Sequence, residues 1–551
     1  MRRPRGAAGS QRALSRWNAC MDRLSLAPDG LASASARSGA RFTPERRLAG
    51  LILVALGLRI IFATSLGLGM DEAYTVATSR DFVLSAFDHP PLSWWLATLG
   101  HRLFGESDLA LRLPFILLSG LTTVLMFLLG RRLYGAEAGF WASFALCCAP
   151  VLGVIDASWV LPDAPLLPAL LGGAWALAHV FFDEDASRAP LWWLLAGLCS
   201  GLALLSKYHG VFLPAGAFLF MLCSPRHRAW LKTPWPWLAG LLALALFAPV
   251  LIWNAQHDWA SFLFQGGRTG DPRLNLKAPF LLLGMQALFL LPWIFLPCVF
   301  LLARALRRGP AQERDFLLAC LALGPVVAFT LPALWSASRV LPHWAAPGYL
   351  LLLPLLGREI AEAFAQGVRW IGPAVTGAGV VVTVLIALLA GLANLRLPAL
   401  SGARYPLLET LDWTDVSDAF FARVLAREGA FVGASRWFEA GKIDAALGGR
   451  LPVLALSDDP RGFGATRDPQ RFLGRDAILV GRYLTLEQAH QLYEDHFDSI
   501  EPLAPIAITA NGAPAFELKL YRGRNFHDPA PEFTLGLKPV HARAARPNDP
   551  H

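Results

Sequence analysis

Asp71 and Glu72 follow directly on an apolar run, Leu51–Met70, and Asp163 stands in Pro162-Asp163-Ala164-Pro165 between two further apolar runs. Ionisable side chains at the edge of hydrocarbon are costly, so each is a functional-site candidate. A carboxylate there can act as a general base, taking a proton from an acceptor hydroxyl. It can equally cap a helix, and Pro162 and Pro165 are ordinary helix-start residues. Glu72 also suits a first-turn acid that favours the helix dipole. In Asp88-His89-Pro90-Pro91-Leu92 two prolines hold the preceding acid and imidazole extended, which suits binding of a phosphate or a metal. Lys207 interrupts two apolar runs at their tight connection, and Arg268, Arg273, Arg339 and His343 complete the candidate cations. Together these cations, with His89, offer fixed positive charge to a departing phosphate; singly, each also suits a snorkelling anchor. Glu72, Tyr74, Asp88, His257 and His343 are placed as acceptor- or loop-positioning residues. The histidines lack HxxH-like spacing and define no metal site by themselves.

The elements that must position these residues are membrane spans. The 551 residues are 55% hydrophobic and 16% charged, with 19 Trp and a mean hydropathy of +0.44. Those values belong to polytopic membrane proteins. Apolar runs near 50–69, 111–130, 138–155, 161–182, 190–206, 208–223, 236–253, 279–303, 316–335, 340–356 and 371–394 predict about 11 spans with no charge at mid-membrane. Asp71–Ala110, aromatic but too polar to span, predicts short interfacial helices. The net charge of +8 lies largely in an Arg-rich N-terminal tail and short loops, as the positive-inside rule expects, and carries no implication of nucleic-acid binding. Arg131-Arg132, Arg188, Arg226–Arg228, Arg304–Arg314, Arg358 and Arg369 alternate in side with the candidate site residues. This predicts a cytoplasmic N-terminus and an active face and C-terminus outside. The seven Cys, from Cys20 to Cys320, fit neither a zinc site nor a disulfide framework.

The expected organisation is a disordered basic cytoplasmic tail over 1–48, a transmembrane catalytic domain over 49–397 with its first outer loop at 70–110, an extracytoplasmic α/β domain over 398–540, and a flexible tail over 541–551, with loosening already from His527. In the soluble part, Phe431–Ala434, Pro452–Leu456, Ala477–Val480 and Pro505–Thr509 read as strands, and Arg436–Leu447 and Leu486–Phe497 as helices. Neither a dinucleotide-binding glycine fingerprint nor a phosphate loop is present. Internal repeats are absent, which weighs against transporters built from inverted halves.

An ordered set of motifs adds to this. Met70-Asp71-Glu72-Ala73-Tyr74, Asp88-His89-Pro90-Pro91-Leu92, Leu113-Pro114, Pro162-Asp163-Ala164-Pro165, Leu204-Leu205-Ser206-Lys207-Tyr208, Trp253–Phe262 and Leu341-Pro342-His343-Trp344 together resemble the bacterial protein O-mannosyltransferase-like glycosyltransferases of the GT-C superfamily, which include the aminoarabinose transferase that modifies lipid A. The resemblance covers residues 50–360 well, and the C-terminal part more loosely, through Arg436–Lys442 and Pro452–Phe463. It implies transfer of a hexosyl or pentosyl group, with inversion, from a polyprenyl-phosphate carrier to an envelope glycolipid or an exported protein, at the bacterial inner membrane. The family's catalytic aspartate falls on Asp71 and its second acid on Asp163. Donor-phosphate binding falls to His89, Lys207, Arg268 and Arg339. The chain departs from the aminoarabinose branch at Asp88-His89, where that branch has Glu-Lys, so the branch's zinc site does not carry over and a divalent cation stays an open possibility. A transporter or flippase for a lipid-linked substrate is the alternative of another class.

Overall fold

The computed structural model describes residues 42–267, 274–335, 340–395, 398–423 and 430–535. Among them, seven helical stretches are long and apolar enough to cross a membrane: Pro44–Ser65, Asp108–Tyr134, Asp163–Phe182, Ala186–Ser206, Trp235–Gln256, Pro292–Leu334 and Ile371–Asn394. The other expected ranges hold shorter helices, Ala136–Cys147, Phe212–Cys223, Ala278–Leu290, and Ala346–Leu350 with Leu353–Ala365. Two expected spans are broken by backbone features that hydropathy does not register. The 138–155 range ends in a π-helical turn, Pro150–Ile155, and 279–303 is cut at Leu291, whose φ of 71° precedes Pro292.

Helix burial separates centre from periphery. In Asp163–Phe182, 83% of the most apolar window is buried, against 17% in Ile371–Asn394, whose Val380, Val384 and Leu388 point outward. Lipid gives no hydrophobic reason to prefer one packing, so small residues that let backbones approach decide it. A Cβ on Gly130 would lie 2.6 Å from the Gly139 Cα, so this helix pair closes only on glycine.

The expectation of spans free of internal charge fails. Arg59 is buried within Pro44–Ser65 and donates to the Gly153 carbonyl at 3.0 Å and Ser119 at 2.9 Å; Arg112 is fully buried in Asp108–Tyr134. Both guanidinium groups survive there because their donors find carbonyl, hydroxyl or carboxylate oxygens. At one end of the bundle, ion pairs join Arg47 to Glu137, Arg132 to Asp183, Arg226 to Glu313 and Arg358 to Asp315. The soluble domain sits on the other end.

That domain holds a five-stranded sheet in the order β2-β1-β3-β5-β4, with β1 Phe431–Ala434, β2 Val453–Ala455, β3 Ala477–Gly481, β4 Phe497–Ala510 and β5 Ala513–Phe526. The first three strands are parallel and buried on both faces, so they read as continuous apolar runs. The helix Leu486–Tyr493 ends before Phe497, which opens β4 instead of closing a helix. The strand read at Pro505–Thr509 is the end of this longer one, and β5 was not expected. Asn511 and Gly512, at φ 53° and 80°, make the two-residue hairpin turn between them. Ala530 and Phe533 are buried, so the chain after His527 packs against the domain as far as it is described. Most of the N-terminal tail, and 541–551, lie outside the described residues; the first helix already begins at Pro44.

One core joins the two parts. Tyr74, Ala77 and Trp94 of the first outer loop share a buried cluster with Val432, Ala440, Ile443 and Val480 of the soluble domain. The outer loop does form the expected short helices, Met70–Thr78 and Leu92–Phe104.

Candidate active site

The segment carrying Asp71 is fixed from below by a buried ion pair. Arg112 donates to Glu72 at 2.8 and 2.5 Å, and to the carbonyls of Ala63, Leu66 and Gly67 that the first span leaves unsatisfied at its end. Glu72 also accepts from the amides of Gly69 and Val160, both at 2.9 Å. Glu72 is thus consumed in building the turn. From above, Lys442 of the helix Trp437–Leu447 donates to the carbonyls of Leu68 and Leu411 at 2.5 and 2.7 Å. Burial lowers its ammonium to about 8. Gly441 lies against the same segment, and a Cβ there would meet the Tyr74 amide at 2.7 Å.

Held this way, Asp71 stands within electrostatic reach of Asp88 and Arg461. Its side chain is exposed, and among the described residues no donor reaches its carboxylate; only its carbonyl is engaged, by Thr75 at 2.8 Å. Surrounding protein mass raises its pKa, the charge of Asp88 raises it further, and Arg461 opposes both. Water reaches the group although protein surrounds much of it. Tyr74, one helical turn on, donates to Asp88 at 3.1 Å and accepts from the Gly462 amide at 2.9 Å. Burial and the Asp88 charge push the phenol well above its ordinary range, so it stays protonated. Asp88 is buried, and its carbonyl accepts from Gln265 at 2.5 Å.

Asp163 belongs to a second, closed arrangement. It opens the central span and accepts two bonds from Lys207, at 2.9 and 2.7 Å; both side chains are buried. His209, His343 and Asp156 lie within electrostatic reach of this pair, and His89 interacts with both histidines. His257 turns back on its own helix, bonding the Trp253 carbonyl at 2.8 Å and stacking on that ring.

The candidate residues therefore separate into one group of Asp71, Tyr74 and Asp88 and another of Asp163, Lys207 and His343, with His89 next to Asp88 in the chain and within electrostatic reach of His343. Arg268, Arg273 and Arg339 lie outside the described residues. Among the described residues no three His, Cys, Asp or Glu side chains are grouped to hold a metal ion. Sequence reading passed over Arg112, Lys442 and Arg461. Arg112 had a visible signal, a lone arginine inside an apolar run; the other two lie in a domain whose contact with Asp71 no local pattern encodes.

Comparison with known proteins gives this geometry a setting. The family model described as dolichyl-phosphate-mannose-protein mannosyltransferase matches residues 88–253. The chain is 29% identical over 325 residues to the undecaprenyl phosphate-alpha-4-amino-4-deoxy-L-arabinose arabinosyl transferase 1 of Sodalis glossinidius, covering 56% of each protein. It is 25% identical over 284 residues to the lipid A galacturonosyltransferase RgtD of Rhizobium johnstonii, covering 51% of this chain and 58% of that one. The chain thus spans about half the length of these curated relatives. The crystal structure of ArnT from Cupriavidus metallidurans bound to undecaprenyl phosphate matches with a TM-score of 0.61 at 19% identity, over 86% of this chain and 97% of that one. At that coverage the architecture is settled: the chain is a multi-pass membrane protein with the GT-C fold, its small C-terminal sheet included.

Proposed function

We propose that the protein is an inverting glycosyltransferase that moves a sugar from a polyprenyl-phosphate carrier to an extracytoplasmic acceptor, an envelope glycolipid of the lipid A type. The observation that carries this reading is Asp71: an accessible carboxylate with no donor among the described residues, at the end of a span, on a segment braced by Arg112 below and Lys442 above. The acceptor hydroxyl gives its proton to Asp71 while its oxygen attacks the anomeric carbon, and the C–O bond to the carrier phosphate breaks with its electron pair. An acceptor that is already a phosphate needs no base; Asp71 then positions the sugar and stabilises positive charge at the anomeric carbon. Asp163 acts from behind by holding Lys207, and His89 faces the carrier phosphate.

The relatives named for lipid A and aminoarabinose chemistry support the glycolipid acceptor. The matched mannosyltransferase family model favours a second acceptor class, exported proteins. In this reading the N-terminus is cytoplasmic, and Asp71 and the C-terminal domain face the periplasm. Mass spectrometry of envelope glycolipids and exported proteins from cells with and without the gene tests the function. A glycan that disappears from a glycolipid supports the first acceptor, one lost from proteins the second, and no change sinks both. A reporter fused after residue 420 that works only in the cytoplasm reverses the orientation.

A further inference from the structure

Near Asp71 and Asp88, the C-terminal domain places a residue in an unusual backbone state. Arg461 has φ 47° and ψ −133°, a conformation that favours glycine and strains a residue with a Cβ. Its guanidinium lies 3.8 Å over the Trp437 ring and 5.7 Å from Phe264. Nη1 stands 3.8 Å from Asp88 and Nε 3.6 Å from Asp459, both longer than the ~2.7–2.9 Å of a charge-assisted hydrogen bond. Among the described residues the buried Nε has no hydrogen-bond partner. Arg461 is thus held on an aromatic face, and among the described residues its guanidinium makes long ion-pair contacts but no close hydrogen bond.

The neighbouring cations differ. Arg112 is consumed by Glu72 and three carbonyls, Lys442 by two carbonyls, and Lys207 by Asp163. Meanwhile Asp71 and Asp88 place two carboxylates at one corner, and an anion is repelled there unless a cation faces it. A planar fork on an aromatic platform is the side chain best suited to gripping phosphoryl oxygens.

We propose that Arg461, delivered by the C-terminal domain, is a substrate-contacting residue that grips a phosphoryl group at the Asp71–Asp88 corner. The role rests on the transferase reading for its chemistry, and it makes the soluble domain a component of the active site. The phosphoryl group belongs either to the carrier lipid or to a phosphorylated acceptor.

The decisive variant is Arg461→Gly in the full-length protein, purified in detergent. Glycine relieves the backbone strain, so the melting temperature should hold or rise while transfer falls about ten- to a hundredfold, the worth of a charge-assisted bond. Free guanidinium should restore part of the activity, and Arg461→Lys should fall between. The acid limb of kcat/KM should move to higher pH, because Arg461 opposes the raising of Asp71 by its surroundings, Asp88, Glu409 and Glu72. Binding of undecaprenyl phosphate, read as a thermal shift, separates the sources. A shift lost in Arg461→Gly assigns the carrier phosphate, and an unchanged shift with a raised acceptor KM assigns the acceptor phosphate. Wild-type transfer by Arg461→Gly overturns the proposal. So does a joint loss of melting temperature and transfer that guanidinium does not rescue, since that marks a structural residue. If the wild-type protein transfers nothing, the transferase reading fails separately, and undecaprenyl phosphate binding alone decides Arg461: unchanged binding overturns its role.

Discussion

Asp71 and Asp163 are both acids at the membrane edge, and the protein treats them oppositely. Asp163 is buried and takes two bonds from Lys207, so its charge is spent inside the fold. Asp71 is accessible and has no donor among the described residues, while its neighbour Glu72 takes up the structural bonds. A carboxylate meant to accept a proton must keep its lone pairs available, whereas one meant to orient a lysine must not. In the proposed reading, pairing, more than depth in the membrane, distinguishes the proton-accepting acid from the architectural one.

The largest effect should come from Asp71→Asn. Transfer should fall by about 10²–10⁴-fold with the melting temperature unchanged, because no packing or hydrogen bond is lost. Steady-state kinetics beside thermal unfolding checks both halves; an active Asp71→Asn removes the base. Asp163→Asn should instead act on stability. Leaving the Lys207 ammonium buried without its counter-charge costs about 3–5 kcal/mol, and a paired Asp163→Leu with Lys207→Met should regain most of it. If Asp163→Asn is stable yet inactive, the contrast between the acids collapses.

The grip of the soluble domain comes next. Lys442→Met leaves the carbonyls of Leu68 and Leu411 without their donor and should cost about 1–3 kcal/mol. Faster proteolysis of the 65–78 segment at unchanged acceptor KM would show it as a brace. The smallest effect is electrostatic. As the proposed base, Asp71 must be ionised, and its pKa is raised, so activity should fall on acidification at a pH above the ordinary carboxylate range. Asp88→Asn removes one raising charge while preserving an acceptor for Tyr74, and should move that acid limb downward. A limb that stays in place would separate Asp88 from Asp71.

Hydropathy located the helices because a bilayer demands length and apolarity, which are local properties. It missed the cut at Leu291 and the π turn at Pro150–Ile155, where backbone geometry decides. The β4–β5 hairpin was legible although it was not read: Asn511-Gly512 is the turn that strand twist favours, and Phe516-Glu517-Leu518-Lys519-Leu520 beyond it alternates apolar and charged. In the site, Asp71, Tyr74 and Asp88 were readable from one stretch of chain. Arg461 was not: 388 residues separate the Gly462 amide from the Tyr74 hydroxyl that it reaches, and nothing in Pro460–Gly462 announces that meeting.

The shared core of Tyr74, Trp94 and the inner face of the sheet sets the unit in which this protein can be exchanged or cut. Removing the chain after residue 397 would strip Ala440 and Ile443 from Tyr74 and expose an apolar face beside the bilayer. A chimera that grafts another soluble domain would have to import its own version of residues 65–104 as well. The portable cassette is discontinuous, one strip of outer loop together with a distant globular end, and neither half is transplantable alone.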